Sequence, residues 1–118
     1  MAKLVSIAST GRGTWAHLIK LIDKEEWEAV YVVTDEFGKS RFPMRNNIEL
    51  IIVNFSDSLE TIRAKIIESL KGKINDWDVG LNLFSGDGKS HMALLSALIS
   101  LGLGIRMVYL DGENVKEV

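Results

Sequence analysis

Two short stretches place hydroxyls, glycines and one cation together: "STGRGT" at residues 9–14 and "SGDGKS" at residues 85–90. In each, two glycines are separated by one residue, which lets backbone N–H groups come close to a ligand at the start of a helix, where anions are favoured. Ser9, Thr10, Ser85 and Ser90 are candidates to donate hydrogen bonds to phosphate or ribose oxygens. Arg12 and Lys89 can neutralise phosphate charge, Arg12 through a bidentate fork and Lys89 as a point charge. Gly11, Gly13, Gly86 and Gly88 supply the close backbone approach. The chemistry these residue types suit is the holding of a phosphorylated ligand.

Known phosphate motifs fit only in part. A P-loop ends in Gly-Lys-Ser/Thr, as Gly88-Lys89-Ser90 does, but its first glycine position holds Leu83. "GRGTWA" matches a dinucleotide fingerprint with Ala16 at the third glycine, and the acid for a ribose would be Asp35 or Glu36. Asp87 reads as a turn residue between glycines. His17 and His91 each lie near a helix start without the spacing of a metal-binding pair. Trp15, directly after "GRGT", is either a packing anchor or a surface on which a base can stack.

The elements that must position these loops follow from the apolar pattern. Five near-continuous apolar runs, at 4–9, 29–35, 48–55, 78–85 and 104–110, suit strands buried on both faces. Three helices are predicted at 14–24, 57–73 and 90–102. The second carries Leu59, Ile62, Ile66, Ile67 and Leu70 at helical spacing, with Asp57 or Ser58 to cap it and Gly72 to end it. The third is apolar on almost every side, which points to deep burial or to an interface. The segment 36–47, with Lys39, Arg41 and Arg45, reads as a basic irregular loop. Alternating strands and helices imply an α/β sandwich with a mostly parallel five-stranded sheet, helices on both faces and right-handed crossovers.

The bulk composition bounds the rest. A chain of 118 residues with 47% hydrophobic residues and one proline is expected to form a single globular domain. The net charge of −2 argues against binding a long nucleic-acid backbone, while leaving room for a small anion in a local pocket. There is no cysteine, so disulfides and thiolate metal sites are excluded, and no metal or cofactor is expected. No apolar run reaches membrane-spanning length, and the expected location is the cytoplasm.

The pairing of "VSIASTGRGTWAHLIKLI" with "VGLNLFSGDGKSHMALLSALISLGLGIRMVYLDGE" resembles the CRISPR-associated Rossmann fold family, the sensor domains of type III CRISPR systems. Ser85, Gly86, Lys89 and Met92 stand for the family's second loop motif, and Asp87 takes the place of the usual second glycine. The resemblance implies a Rossmann-like three-layer sandwich. It also implies a two-fold homodimer, with the helix around "ALLSALISLGLG" on the dimer side, whose joint pocket binds a cyclic oligoadenylate, often the tetra-adenylate, in antiviral defence. Some members cleave the ring slowly without metal, by attack of a ribose 2′-hydroxyl on the neighbouring phosphorus. Carried onto this chain, Ser9 or Thr10 would position ribose or phosphate and Lys89 would stabilise the developing charge. Two other readings stand beside it: a small dimeric interaction protein whose glycines only form tight turns, and a binder of a dinucleotide cofactor.

Overall fold

The computed structural model describes residues 2–9 and 14–118. In chain order the elements are β1 (Lys3–Ile7), α1 (Thr14–Lys24), β2 (Ala29–Thr34), α2 (Glu36–Arg41), β3 (Ile48–Ile52), α3 (Leu59–Leu70), β4 (Asp78–Asn82), α4 (Gly88–Ser100), β5 (Gly104–Asp111) and β6 (Asn114–Glu117). The sheet order is β3-β2-β1-β4-β5-β6, parallel throughout except for the last pair. The chain crosses from one side of β1 to the other between β3 and β4, so the topological switch point lies between β1 and β4. Ligands of open α/β sheets bind at the carboxyl ends of the strands at such a point.

Alternation along the strands feeds two cores. Val5 and Ile7 of β1, Tyr31 and Val33 of β2 and Val79 and Leu81 of β4 face α3 and α4, where Ile62, Ile66, Leu70, Ala93, Leu94, Ala97 and Leu98 are buried. Leu4, Val30, Val32 and Val108 face the other way, onto Leu18, Leu21 and Ile22 of α1, with Trp27 and Phe42 closing that side. The result is a three-layer α/β sandwich with helices on both faces, as the pattern of apolar runs predicts. Ser58 caps α3 by accepting a hydrogen bond from the Thr61 N–H, and Gly72 at φ 80° follows its end.

Two elements and several boundaries differ from expectation. The sheet has six strands, because Asp111-Gly112-Glu113-Asn114 turns the chain back through a two-residue connection with Gly112 at φ 63°. β6 is polar apart from Val115, so hydrophobicity did not mark it. Residues 36–41, expected as loop, form α2, whose start is capped by the Asp35 carboxylate accepting from the Gly38 N–H at 2.9 Å. β3 stops at Ile52 instead of Phe55, and α4 starts at Gly88, two residues earlier than expected. The shift in α4 has a cause in Asp87, described below. The third predicted helix is buried on one side only: Met92 and Ile99 on its outer face are 63% and 62% exposed.

Candidate functional site

Beyond the ends of β1 and β4 the chain is held by small hydroxyls. The Ser6 hydroxyl donates to the Asn82 carbonyl at 2.7 Å, and that of Thr34 donates to the Ala8 carbonyl at 2.6 Å. Just outside them, the Ser9 N–H donates to Ser85 Oγ at 2.9 Å, and the two hydroxyls lie 3.0 Å apart. Residues 76 positions apart in sequence are thus joined at the switch point. Ser85 is only 2% exposed, so its side chain ties the loops together from beneath. Its carbonyl accepts a hydrogen bond from His91 Nε2 at 2.8 Å, which fixes the proton of that ring on Nε2.

The start of α4 is capped from within the loop. Asp87 Oδ1 accepts from the Ser90 N–H at 2.9 Å, and Ser90 Oγ accepts from the Asp87 N–H at 3.0 Å, a reciprocal capping box. This cap is why the helix begins at Gly88. The Ser90 N–H, then the Ser90 hydroxyl, with Lys89 as a lesser cause, hold the Asp87 carboxyl below its ordinary value. Asp87 is therefore more than the turn residue expected: it places an ionised carboxylate where a bare helix start would attract an anion. Gly86 sits at φ 105°, and a Cβ there would come within 2.8 Å of Ser90 Oγ and 3.0 Å of His91 Nε2. Only glycine meets both demands without strain.

Lys89 Nζ reaches back across α3's start to donate to the Asp57 carbonyl at 2.7 Å. It is in no salt bridge among the described residues. Ser9, Gly86, Asp87 and Ser90, with Phe55 from the loop after β3, line a pocket of about 190 Å³. Of the residues singled out from the sequence, the structure brings together Ser9, Ser85, Gly86 and Ser90; Gly88 and Lys89 follow in the first turn of α4 but do not line this pocket, and the Lys89 amine is turned to the Asp57 carbonyl. Thr10, Gly11, Arg12 and Gly13 lie outside the described residues. A larger groove of about 490 Å³ runs along the end of β3 and α3, but Glu36, Asp57 and Glu68 oppose Lys65 in its lining, so its charge does not suit a phosphate chain.

The structure also supplies residues that the sequence reading passed over. Asn82, buried at the end of β4, donates through Nδ2 to the Val108 carbonyl at 2.9 Å and to His17 Nε2 at 3.2 Å, while its Oδ1 accepts from the Phe84 N–H at 3.3 Å. Accepting from an amide leaves His17 Nε2 without a proton, and burial pushes the ring's pKa down, so it is held neutral. The His17 ring lies flat against Phe84, centroids 3.7 Å apart and planes 12° from parallel. An asparagine inside the apolar run "VGLNLF" was the available signal for this cluster. Trp15, by contrast, is a packing anchor. Its Nε1–H donates to the Ser9 carbonyl and its ring meets Phe42 edge-on at 5.5 Å.

The dinucleotide reading loses one of its two candidate ribose partners, since Asp35 uses its carboxylate to cap α2. Among the described residues no cluster of acidic and histidine side chains converges on a metal-sized space, and no helix is long and apolar enough to cross a membrane. No protein-family model matches the chain, and a search of curated proteins finds no match to it.

Proposed function

We propose that this chain binds a cyclic oligoadenylate, with cyclic tetra-adenylate as the first ligand to test, at the carboxyl rim of its sheet in a homodimer serving type III CRISPR signalling. The observation that carries the reading is the Ser9–Ser85 tie at the switch point, next to the pocket lined by Ser9, Gly86 and Ser90, with Lys89 in the first turn of the helix that follows. A phosphate oxygen is a stronger partner for Lys89 than the Asp57 carbonyl, because both members of the new pair are charged. Exchange of that partner favours binding. Asp87 opposes a phosphate at the tip of α4, so the ligand's phosphate lies toward Ser9 and the Gly86 backbone. Arg12 and the glycines of "STGRGT" complete the charge on this reading.

The dimer part of the proposal rests on α4. Met92 and Ile99, seven positions apart, share one outward face, with Leu95 beside them. A two-fold pairing along this face would join the two pockets at the helix starts, and a symmetric ring ligand would then meet the same loops from both subunits. Ring cleavage is the reaction such a site would support. A ribose 2′-oxygen attacks the adjacent phosphorus, the bond to the 5′-oxygen breaks, and that oxygen leaves with a proton, giving a 2′,3′-cyclic phosphate and a 5′-hydroxyl. Ser9 and Thr10 would position the ribose and Lys89 would stabilise the charge on the phosphoryl oxygens, so positioning and electrostatics supply the rate.

The same exposed face of α4, together with the self-contained capping box, favours a second reading in which the protein is a dimeric interaction module without a nucleotide. Incubation with cyclic tetra-adenylate, with and without manganese, followed by chromatography of the products, separates the two. Ligand bound to a dimer supports the proposal, and linear fragments formed without metal add the cleavage step. Intact ligand that does not bind leaves the interaction module.

A further inference from the structure

β4 and β5 are paired only from Asp78↔Gly104 to Leu81↔Met107. Past that point β4 ends at Asn82 and its chain peels away toward α4, while β5 continues to Asp111. The divergence opens a slot of about 220 Å³ lined by Leu83, Phe84, Met107, Tyr109 and Val118, with Asn82 and Val108 at its base. Its walls are apolar, and it is smaller than the roughly 300–1,000 Å³ of sites for drug-sized ligands. It suits one flat, weakly polar group.

Phe84 gives the slot its character. The ring is stacked on His17, and His17 is in turn held by Asn82, whose amide also ties Val108 and the Phe84 backbone. Despite this backing, Phe84 remains 52% exposed. An aromatic ring fixed on one side and open on another, at the edge of an apolar slot, is the form of a stacking platform. Phe84 is also immediately followed by Ser85 and Gly86, so the platform lies within about 7 Å of chain from the pocket assigned to phosphate.

We propose that Phe84 is the base-stacking residue of the site, receiving a purine of the bound oligonucleotide in the slot between the β4–α4 loop and β5. This inference rests on the nucleotide-binding reading above. Asn82 has its amide groups engaged by protein partners, so it offers no edge readout, and the base is held by its face. His17 is a positioning residue that acts through Phe84.

The test is a fluorescence titration with cyclic tetra-adenylate in which one adenine is replaced by 2-aminopurine, whose emission is quenched by stacking, alongside calorimetry with the unmodified ring. Wild type is expected to bind and quench. Phe84→Trp is expected to keep both within a few-fold. Phe84→Leu and Phe84→Ala are expected to lose the quench and to bind about ten-fold weaker or more, the loss of one aromatic–base stack. Phe84 is half exposed, so these variants are expected to fold, and Phe84→Leu separates stacking from simple apolar bulk. Wild-type binding without a quench, or Phe84→Ala retaining both affinity and quench, overturns the platform while leaving nucleotide binding in place. Absence of any binding by wild type overturns both.

Discussion

At the amino rim of the sheet Lys3 lies between Asp76 (2.5 Å) and Glu28 (3.6 Å), and Arg106 lies between Asp78 (3.4 Å) and Glu117 (3.3 Å). At the carboxyl rim the joining groups are small and neutral: Ser6, Thr34, Asn82, Ser85 and Ser90, all buried and all hydrogen-bonded. The amino rim neutralises its own charges in pairs, with Lys3–Asp76 part-buried and Arg106 half-buried, and so offers nothing to an ion. The carboxyl rim instead fixes loop backbones with uncharged bonds and leaves Lys89 resting on a carbonyl. One rim is closed electrostatically, and the other has a cation still able to gain by meeting an anion.

The largest expected effect tests whether the carboxyl rim depends on its backbone shape. Gly86→Ala forces a side chain into the left-handed region and against Ser90 and His91. It should destabilise the protein by about 2 kcal/mol and abolish measurable ligand binding. Urea unfolding and calorimetry of the same preparation check both, and an unchanged midpoint would break the account of a rigid rim.

Lys89→Ala should act on binding alone. The lost charge-assisted contact predicts an affinity lower by about 1.5–3 kcal/mol, with the thermal midpoint unmoved. A lower midpoint with intact affinity would reverse the assigned contrast and make Lys89 structural.

Asp87 sharpens the comparison from the opposite side. Asp87→Asn keeps a good N-cap and removes the negative charge, so stability should hold while affinity for the cyclic nucleotide rises a few-fold. Asp87→Ala should lose about 1 kcal/mol of stability through the missing cap. Equal affinity in wild type and Asp87→Asn would show that the phosphates bind away from α4.

The smallest effect is in pH dependence. Burial lowers the His17 pKa below its ordinary 6.5, so on acidification the unfolded chain takes up this proton before the folded one does. The contribution of His17 is complete above pH 6.5 and is lost as pH falls from there through the lower folded value. Wild type should therefore lose stability across that window more steeply than His17→Phe, as measured by denaturant unfolding at a series of pH values. Parallel curves would mean that the Asn82–His17–Phe84 cluster is not coupled to folding.

Much of the architecture was legible because it follows from apolar periodicity. Continuous runs such as "AVYVVT" marked the parallel strands, and Ile62, Ile66 and Leu70 marked the buried face of α3. β6 was missed because an edge strand with one apolar residue carries no such pattern, although the Asp111-Gly112 pair before it was a usable turn signal. The two glycine-rich loops are alike in sequence, and the structure joins them through Ser9 and Ser85. What composition did not show was the part each would play. Ser85 and Ser90 turn their hydroxyls inward as ties and caps, Asp87 puts a charge at the helix start, and Phe84 stacks on His17, which Asn82 holds. Such roles depend on which strand ends are neighbours, and only the sheet order β3-β2-β1-β4-β5-β6 decides that.

The most direct measurement is a titration of cyclic tetra-adenylate into isotope-labelled protein, read from backbone amide shifts. The account predicts the largest changes at Ser9, Ser85, Gly86, Lys89 and Ser90, with the amino rim around Lys3 and Arg106 unchanged. Shifts confined to the groove between Glu36 and Glu68, or no shifts at any amide, would contradict it.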